Sequence, residues 1–421
     1  MKQTITRRVG ALIVVLLWLL AGGSSATGLV GPVQAASTST TVPWLQISSD
    51  TLPSVAEQDS SFDPGPAPAT TGKSVILVNM DDGRVLVESN ADERRSIAST
   101  TKIMTGILAL ETLPLDRMVQ ASVRATQAGE SEIWMEPGEE LSVEDLMYAL
   151  LVRSANDAAV ALGEASAGTL EAFIDAMNAK AVELGLTNTH FANPHGLEAE
   201  GHYSSARDLA TLARYAMQNP DFRRFVATEE VAIPWPGRPY DRVLESRNTL
   251  LGKVAFVNGV KTGYTRPAGF CLVGSGARDG VSLISVILGE PNKDAVNADS
   301  AALLEYGFRQ YRQVSLMERG VTVTEMDVPY HFGETMVLKT DRDLVRTIHA
   351  ADPIVKTVTV QERLVLPVTK GQVLGTITFE AGGNEVGEIQ LLADRTIEEA
   401  SLGVKLRYIW DRVVDWLGRA V

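Results

Sequence analysis

Ser96-Ile97-Ala98-Ser99-Thr100-Thr101-Lys102-Ile103-Met104-Thr105 sets the hydroxyl of Ser99 three residues ahead of the amine of Lys102. If a helix begins near Ser99, the two side chains share a face, because residues three apart are neighbours on a helix surface. A serine hydroxyl is a weak nucleophile until a base removes its proton. A lysine serves as that base only when its amine is neutral, so burial or a second cation must lower its pKa. A fall from about 10.4 to about 7–8 corresponds to roughly 3–5 kcal/mol. A capping serine followed by a solvated lysine has the same spelling, and by composition a Ser-x-x-Lys turns up about once by chance in a chain of this length. The surrounding sequence has to decide between the two.

Upstream, Val75–Met80 and Val85–Glu88 are β-rich and meet through Asp81-Asp82-Gly83, a hairpin signal. Downstream, Ile103, Met104, Ile107, Leu108 and Leu110 continue the Ser99 segment as a core helix. Leu141–Gly163 is helical in pattern but interrupted at Arg153–Asp157, and Leu170–Leu184 is a second amphipathic helix. A turn-rich loop, Phe191–Leu197, leads to a helix over Ser205–Met217 that Ser204 or Ser205 caps. Val257–Gly263, Gly269–Ser275 and Val281–Leu288 read as three strands joined by short turns, hence an antiparallel sheet, closed by a helix over Ala298–Phe308. After Tyr311 the pattern changes to short alternating β segments split by Gly and Pro. The expected fold is therefore α+β: an antiparallel sheet with helices over residues 73–312, then a small β-sandwich-like domain over 313–398.

The two ends read differently. Lys2, Arg7 and Arg8 precede an apolar run from Val9 to Ala21, and Val33-Gln34-Ala35 offers a small-x-small cleavage site. Residues 1–35 thus have the layout of a signal peptide, with an uncleaved anchor as the competing reading, and either places the body of the protein outside the cytoplasm. Residues 36–72 are rich in Ser, Thr, Pro and acids and are expected to be a flexible linker. At the other end, over 399–421, Leu402, Leu406, Ile409, Trp410, Val413, Leu417 and Val421 recur at helical spacing, with Lys405, Tyr408, Asp411, Arg412, Asp415 and Arg419 on the other side. Those charges exclude an ordinary span and fit an amphipathic helix lying on a membrane surface, against the alternative of a helix packed on the β domain or a partner.

Composition narrows the chemistry. A net charge of −14 over 421 residues argues against nucleic acid as partner. The single cysteine, Cys271, rules out an intramolecular disulfide framework and sits in an expected core strand, where a thiol is inert. Five histidines lack a zinc-binding pattern, and no glycine-rich phosphate loop is present, so neither metal nor nucleotide cofactor is expected.

Against that background Ser99 is the only serine with a lysine three residues on, Lys261-Thr262-Gly263 is a unique tripeptide, and Ser154-Ala155-Asn156 falls between them. A second Ser-x-Asn, Ser246-Arg247-Asn248, is less well placed. In this order the chain resembles the penicillin-recognising serine enzymes, whose boxes are Ser-x-x-Lys, Ser-x-Asn and Lys-Thr-Gly. It is most similar to the low-molecular-weight penicillin-binding proteins of the D-alanyl-D-alanine carboxypeptidase family. The similarity extends to Leu150–Ala159, Asn193–Leu197, Ala206–Ala210 and Gly259–Thr265, and covers roughly residues 70–400.

The resemblance implies a serine transpeptidase-like catalytic domain with Ser99 as nucleophile, Lys102 as base and Ser154 as proton relay. It implies that Asn156, Lys261, Thr262 and Gly263 bind substrate, and that the backbone N–H groups of Ser99 and Tyr264 form the oxyanion hole. It implies no cofactor and no metal; the partners are peptidoglycan stem peptides, β-lactam antibiotics and, through the tail, the membrane. Where some members have a histidine after Lys-Thr-Gly this chain has Tyr264, and where members commonly carry an arginine it has Val296, leaving Arg266 or another base to hold the substrate carboxylate. Competing functions are a class A β-lactamase, for which no Glu-x-x-x-Asn box lies at the corresponding distance after Ser154, a DD-endopeptidase, and a non-catalytic wall-binding scaffold.

Overall fold

The computed structural model describes residues 42–58 and 62–419. The expected signal peptide at 1–35 lies outside them. Ser74–Asn79 (β2) and Val85–Ser89 (β3) form the expected hairpin. They join Val257–Thr265 (β4), Gly269–Arg278 (β5) and Val281–Glu290 (β6) in an antiparallel sheet of order β3-β2-β6-β5-β4. Strand side chains alternate between faces, and the two faces are both apolar here. Val75, Leu77, Leu283 and Ile287 point to one side, where they pack with Leu303, Leu304 and Phe308 of the helix Lys293–Arg309. Ile76, Val78, Ile284 and Val286 point to the other. There they meet Lys102–Thr112 (α1), Asn156–Ala167 (α2) and Ala206–Ala216, whose N-cap is Ser205 accepting from the Asp208 amide. Cys271 is buried on this side, and burial pushes its thiol up to about 11, as an inert core residue requires.

The interruption expected at Arg153–Asp157 is real. A helix over Val143–Tyr148 widens into a π-turn at Ala149–Arg153, Ser154 takes a left-handed conformation (φ 68°), and α2 starts afresh at Asn156. A non-glycine residue at positive φ is strained and persists only where its surroundings fix it.

From Tyr311 onward a second apolar core forms between a six-stranded sheet and a two-stranded one, and Met336, Leu338, Leu374, Ile377, Phe379, Ile389 and Leu391 are fully buried in it. One edge of the larger sheet corrects the sequence reading. Residues 36–72 were expected to be a linker, yet Trp44–Leu52 (β1) is a strand, paired antiparallel with Ile354–Gln361. Its side chains are almost all exposed, so no alternating apolar pattern announces it; its backbone completes an edge that the later strands leave open. The β-rich module is tied to the first part of the chain by the bidentate Arg84–Asp352 pair and by Thr347 donating to the Asp279 carbonyl. The tail is helical over Leu402–Arg419, with Tyr408 and Lys405 packed on Tyr330 and with Leu402, Trp410 and Trp416 exposed. Among the described residues no helix is long and apolar enough to cross a membrane.

Candidate active site

Ala98–Thr101 is a single 3-10 turn that runs directly into α1, so Ser99 and Lys102 lie on one continuous helical surface. Lys102 is fully buried, and burial together with nearby Lys261 holds its amine well below the usual lysine range. Its Nζ has three neighbours: Asn156 Oδ1 at 2.6 Å, the His195 carbonyl oxygen at 2.8 Å and Ser99 Oγ at 3.0 Å. The first two can only accept. A neutral amine has two N–H bonds and one lone pair, so donating to both carbonyl oxygens leaves the lone pair for the Ser99 hydroxyl. The other two boxes close the site. Lys261, also buried, donates to Ser154 Oγ at 2.9 Å and to the Thr262 carbonyl at 3.0 Å; burial first, then the Arg247 charge, lower its pKa to about 7.

Two glycines allow the close approach. A Cβ on Gly263 would stand 3.0 Å from both the Ile97 oxygen and the Ser99 nitrogen, so only a bare backbone lets β4 lie against the nucleophile's amide. Gly196 (φ +92°) is tighter, since its Cβ would fall 2.0 Å from the Ala98 oxygen. Ala98 itself is at positive φ, and its oxygen accepts from Thr101 Oγ1, which in turn contacts His202 Nε2 at 2.8 Å. His202 Nδ1 accepts from the Ala192 amide, so its proton sits on Nε2 and the chain runs His202 to Thr101 to Ala98. Burial keeps His202 neutral, with a pKa near 4.

All eight candidate residues except Tyr264 are thus drawn together by side chain or close backbone: Ser99, Lys102, Asn156, Ser154 and Lys261 through hydrogen bonds, Thr262 and Gly263 as the adjoining edge strand. The Tyr264 ring is exposed and stacks on Phe270, with centroids 4.4 Å apart. His195 is a backbone acceptor for Lys102, and desolvation with the nearby Lys102 charge lowers its half-buried imidazole to about 3. The less well placed Ser246–Asn248 match is structural: Asn248 is buried and donates to the Gly259 carbonyl. Val296 is buried in the core on the far face of the sheet, and Arg266 is exposed in the turn after β4. The cation whose charge reaches Lys261 is Arg247, which the sequence did not single out. Asp157 was also missed. Its buried carboxylate accepts from the Ile133, Met135 and Ala158 amides and fixes the start of α2 against the preceding loop.

Residues 62–292 match the D-alanyl-D-alanine carboxypeptidase family. The chain belongs to that family. Residues 311–399 of this carboxypeptidase-family protein match a second one, the C-terminal domain of penicillin-binding protein 5. Among curated relatives, the D-alanyl-D-alanine carboxypeptidase DacF of Bacillus subtilis is 33% identical over 83% of this chain and 90% of its own length. DacC of Escherichia coli, a D-alanyl-D-alanine carboxypeptidase, is 32% identical over 84% of this chain and 91% of its own. Among solved structures, penicillin binding protein 5 of Haemophilus influenzae superposes with a TM-score of 0.57 at 27% identity, covering 80% of this chain and 100% of that one.

Proposed function

We propose that this protein is a serine-type D-Ala-D-Ala carboxypeptidase that trims the terminal D-alanine from peptidoglycan stem pentapeptides and is acylated by penicillin at the same serine. The observation that carries the reading is the environment of Lys102: a buried amine with two carbonyl acceptors and the Ser99 hydroxyl as its third neighbour. Ser99 Oγ attacks the carbonyl carbon between the two D-alanines while its proton passes to Lys102 Nζ. The C–N bond then breaks, and Ser154, bonded to Lys261, relays a proton to the departing amine. Water hydrolyses the resulting ester and restores Ser99. The Ser99 and Tyr264 amides hold the oxyanion, where losing one donor typically costs about 3–4 kcal/mol. Thr262, Lys261 and Asn156 grip the substrate, Gly263 lets it lie along the free edge of β4, and Arg247 takes the carboxylate-holding part that Val296 cannot play.

The test is incubation with a fluorescent penicillin followed by peptide mapping, beside an assay of D-alanine release from a pentapeptide. The adduct is expected on Ser99, with a lifetime of minutes or longer; an adduct on another serine sinks the mechanism, and a lifetime of milliseconds makes the protein a β-lactamase.

The same reading places the protein outside the cytoplasm, exported by residues 1–35, with the catalytic part at 73–312 standing on the β module at 313–398. The helix Leu402–Arg419 lies on the outer face of the membrane. Its exposed Leu402, Trp410 and Trp416 form the kind of apolar surface that a soluble monomer rarely leaves bare. Each Lys or Arg near an anionic surface adds about 1 kcal/mol. Full-length protein is expected to sediment with anionic vesicles in a salt-sensitive way and protein lacking Leu402–Val421 is not. Sedimentation of the truncated protein would assign the tail a packing role.

A further inference from the structure

Beside the Ser154 turn lies a cleft of about 300 Å³ that the mechanism above does not use, with Glu132, Trp134, Arg153, Trp235, Asp241 and Arg242 among its walls. That volume is at the lower end for small-molecule sites. Trp134 is 61% exposed and holds a left-handed backbone (φ 57°), an expensive conformation for a bulky residue. Its cause is visible: the buried Asp157 carboxylate accepts from the amides on either side of it, Ile133 and Met135. The second tryptophan is fixed just as firmly. Arg242, buried and paired bidentately with Glu139, lies 4.6 Å from the centroid of the Trp235 ring and donates to the Trp134 and Pro234 carbonyls. Tyr240 packs edge-on against Trp235. One buried ion pair therefore sets both tryptophan-bearing segments, and the cleft is shaped before any ligand arrives.

We infer that this cleft is a subsite for an N-acetylated sugar ring of the glycan to which the stem peptide is attached. Pyranose rings offer apolar C–H faces to aromatic planes and equatorial polar groups to side chains around the rim. Here two tryptophans share the walls with three carboxylates, Glu132, Asp241 and Glu245, and one guanidinium, Arg153, which enters no ion pair among the described residues. With Arg242 neutralised by Glu139, three carboxylates stand against one unpaired guanidinium, a balance that repels anionic ligands and offers acceptors to sugar hydroxyls. Continuity with the reaction centre comes through the chain: Arg153 precedes Ser154, and Asp157, which positions Trp134, follows Asn156. The identity of the sugar-bearing substrate rests on the carboxypeptidase reading; the cleft's preference for a sugar does not.

Two measurements test it. The first is an NMR titration of the full chain with the soluble tetramer of N-acetylglucosamine, which carries no peptide. Binding is expected to weaken about five- to tenfold in Trp134→Ala and to recover in Trp134→Phe, in line with the loss and return of one aromatic contact. Because Trp134 is exposed, both variants should melt with the parent protein. The second is the ratio of kcat/KM for a muramyl pentapeptide to that for the bare pentapeptide. It should exceed one by a similar factor and collapse towards one in Trp134→Ala. Tetramer binding that is absent, or indifferent to Trp134, overturns the inference even if D-alanine is released. Trp134-dependent binding without D-alanine release upholds it and removes the carboxypeptidase reading instead.

Discussion

The two halves of the molecule treat buried polarity in opposite ways. Around the reaction centre Lys102, Lys261, Asn156, Asp157 and Ser154 are all buried, with Lys102 and Lys261 among the largest fully enclosed side chains of the described residues. In the module after Tyr311 the only buried polar or charged residue among those described is Thr340. Enclosing an amine in a core costs several kcal/mol unless it neutralises or finds partners. In the proposed mechanism the first region accepts that cost because a neutral lysine serves as the base. The second has no chemistry to serve, so its core is aliphatic and aromatic throughout. The contrast leads to the expectation that the second core can be disturbed without altering the chemistry of the first region.

The sharpest break in that contrast is Ser99→Ala. Loss of a nucleophile is expected to cut acylation by roughly 10⁶-fold while leaving the melting curve within a degree or two of the parent; stopped-flow acylation by penicillin and calorimetry read the two halves of the statement. Lys102→Ala is expected to cost about 10²–10⁴-fold. Unchanged acylation in a folded Lys102→Ala protein would remove lysine as the base.

The next effect is a pH profile, worth tenfold per pH unit on each limb. Lys102 is held well below the usual lysine range and is neutral above its lowered pKa, so kcat/KM rises there. Lys261, lowered to about 7, loses its charge above that pH, so kcat/KM of the free enzyme should fall on an alkaline limb near 7. A bound carboxylate favours the charged lysine, so the limb in kcat should sit at higher pH than the limb in kcat/KM. Lys261→Arg keeps its charge across this range and should abolish the alkaline limb; a limb that survives belongs to another group.

The smallest effect on chemistry and the largest on the other region is expected from Ile377→Ala. Ile377 is fully buried in the second core, so truncation should lower stability by about 2–5 kcal/mol with kcat unchanged. A fall in kcat parallel to the loss of stability would show that the two regions unfold as one unit and that the separation drawn above is too sharp.

What the sequence determined by itself was the part written in local pattern. The hairpin at 74–89, the capped helix at 206–216, the three antiparallel strands at 257–290 and the three motifs all rest on neighbours in the chain, so spacing and composition reveal them. The motif residues could be named because their order and spacing match the boxes of the penicillin-recognising serine enzymes. What only the tertiary structure decided were relations between distant residues. That the Lys102 amine is held well below the usual lysine range follows from its enclosure and from the Lys261 charge, brought beside it from far along the chain, which no periodicity records. Gly196 is required by a contact with Ala98, and Trp134 is held outward by Asp157. The strand at Trp44–Leu52 gave no signal at all, because its order comes from backbone pairing with Ile354–Gln361 rather than from buried side chains. Sequence pattern reports which face of an element is apolar; it carries no record of which carbonyl, edge or carboxylate the fold will bring to meet it.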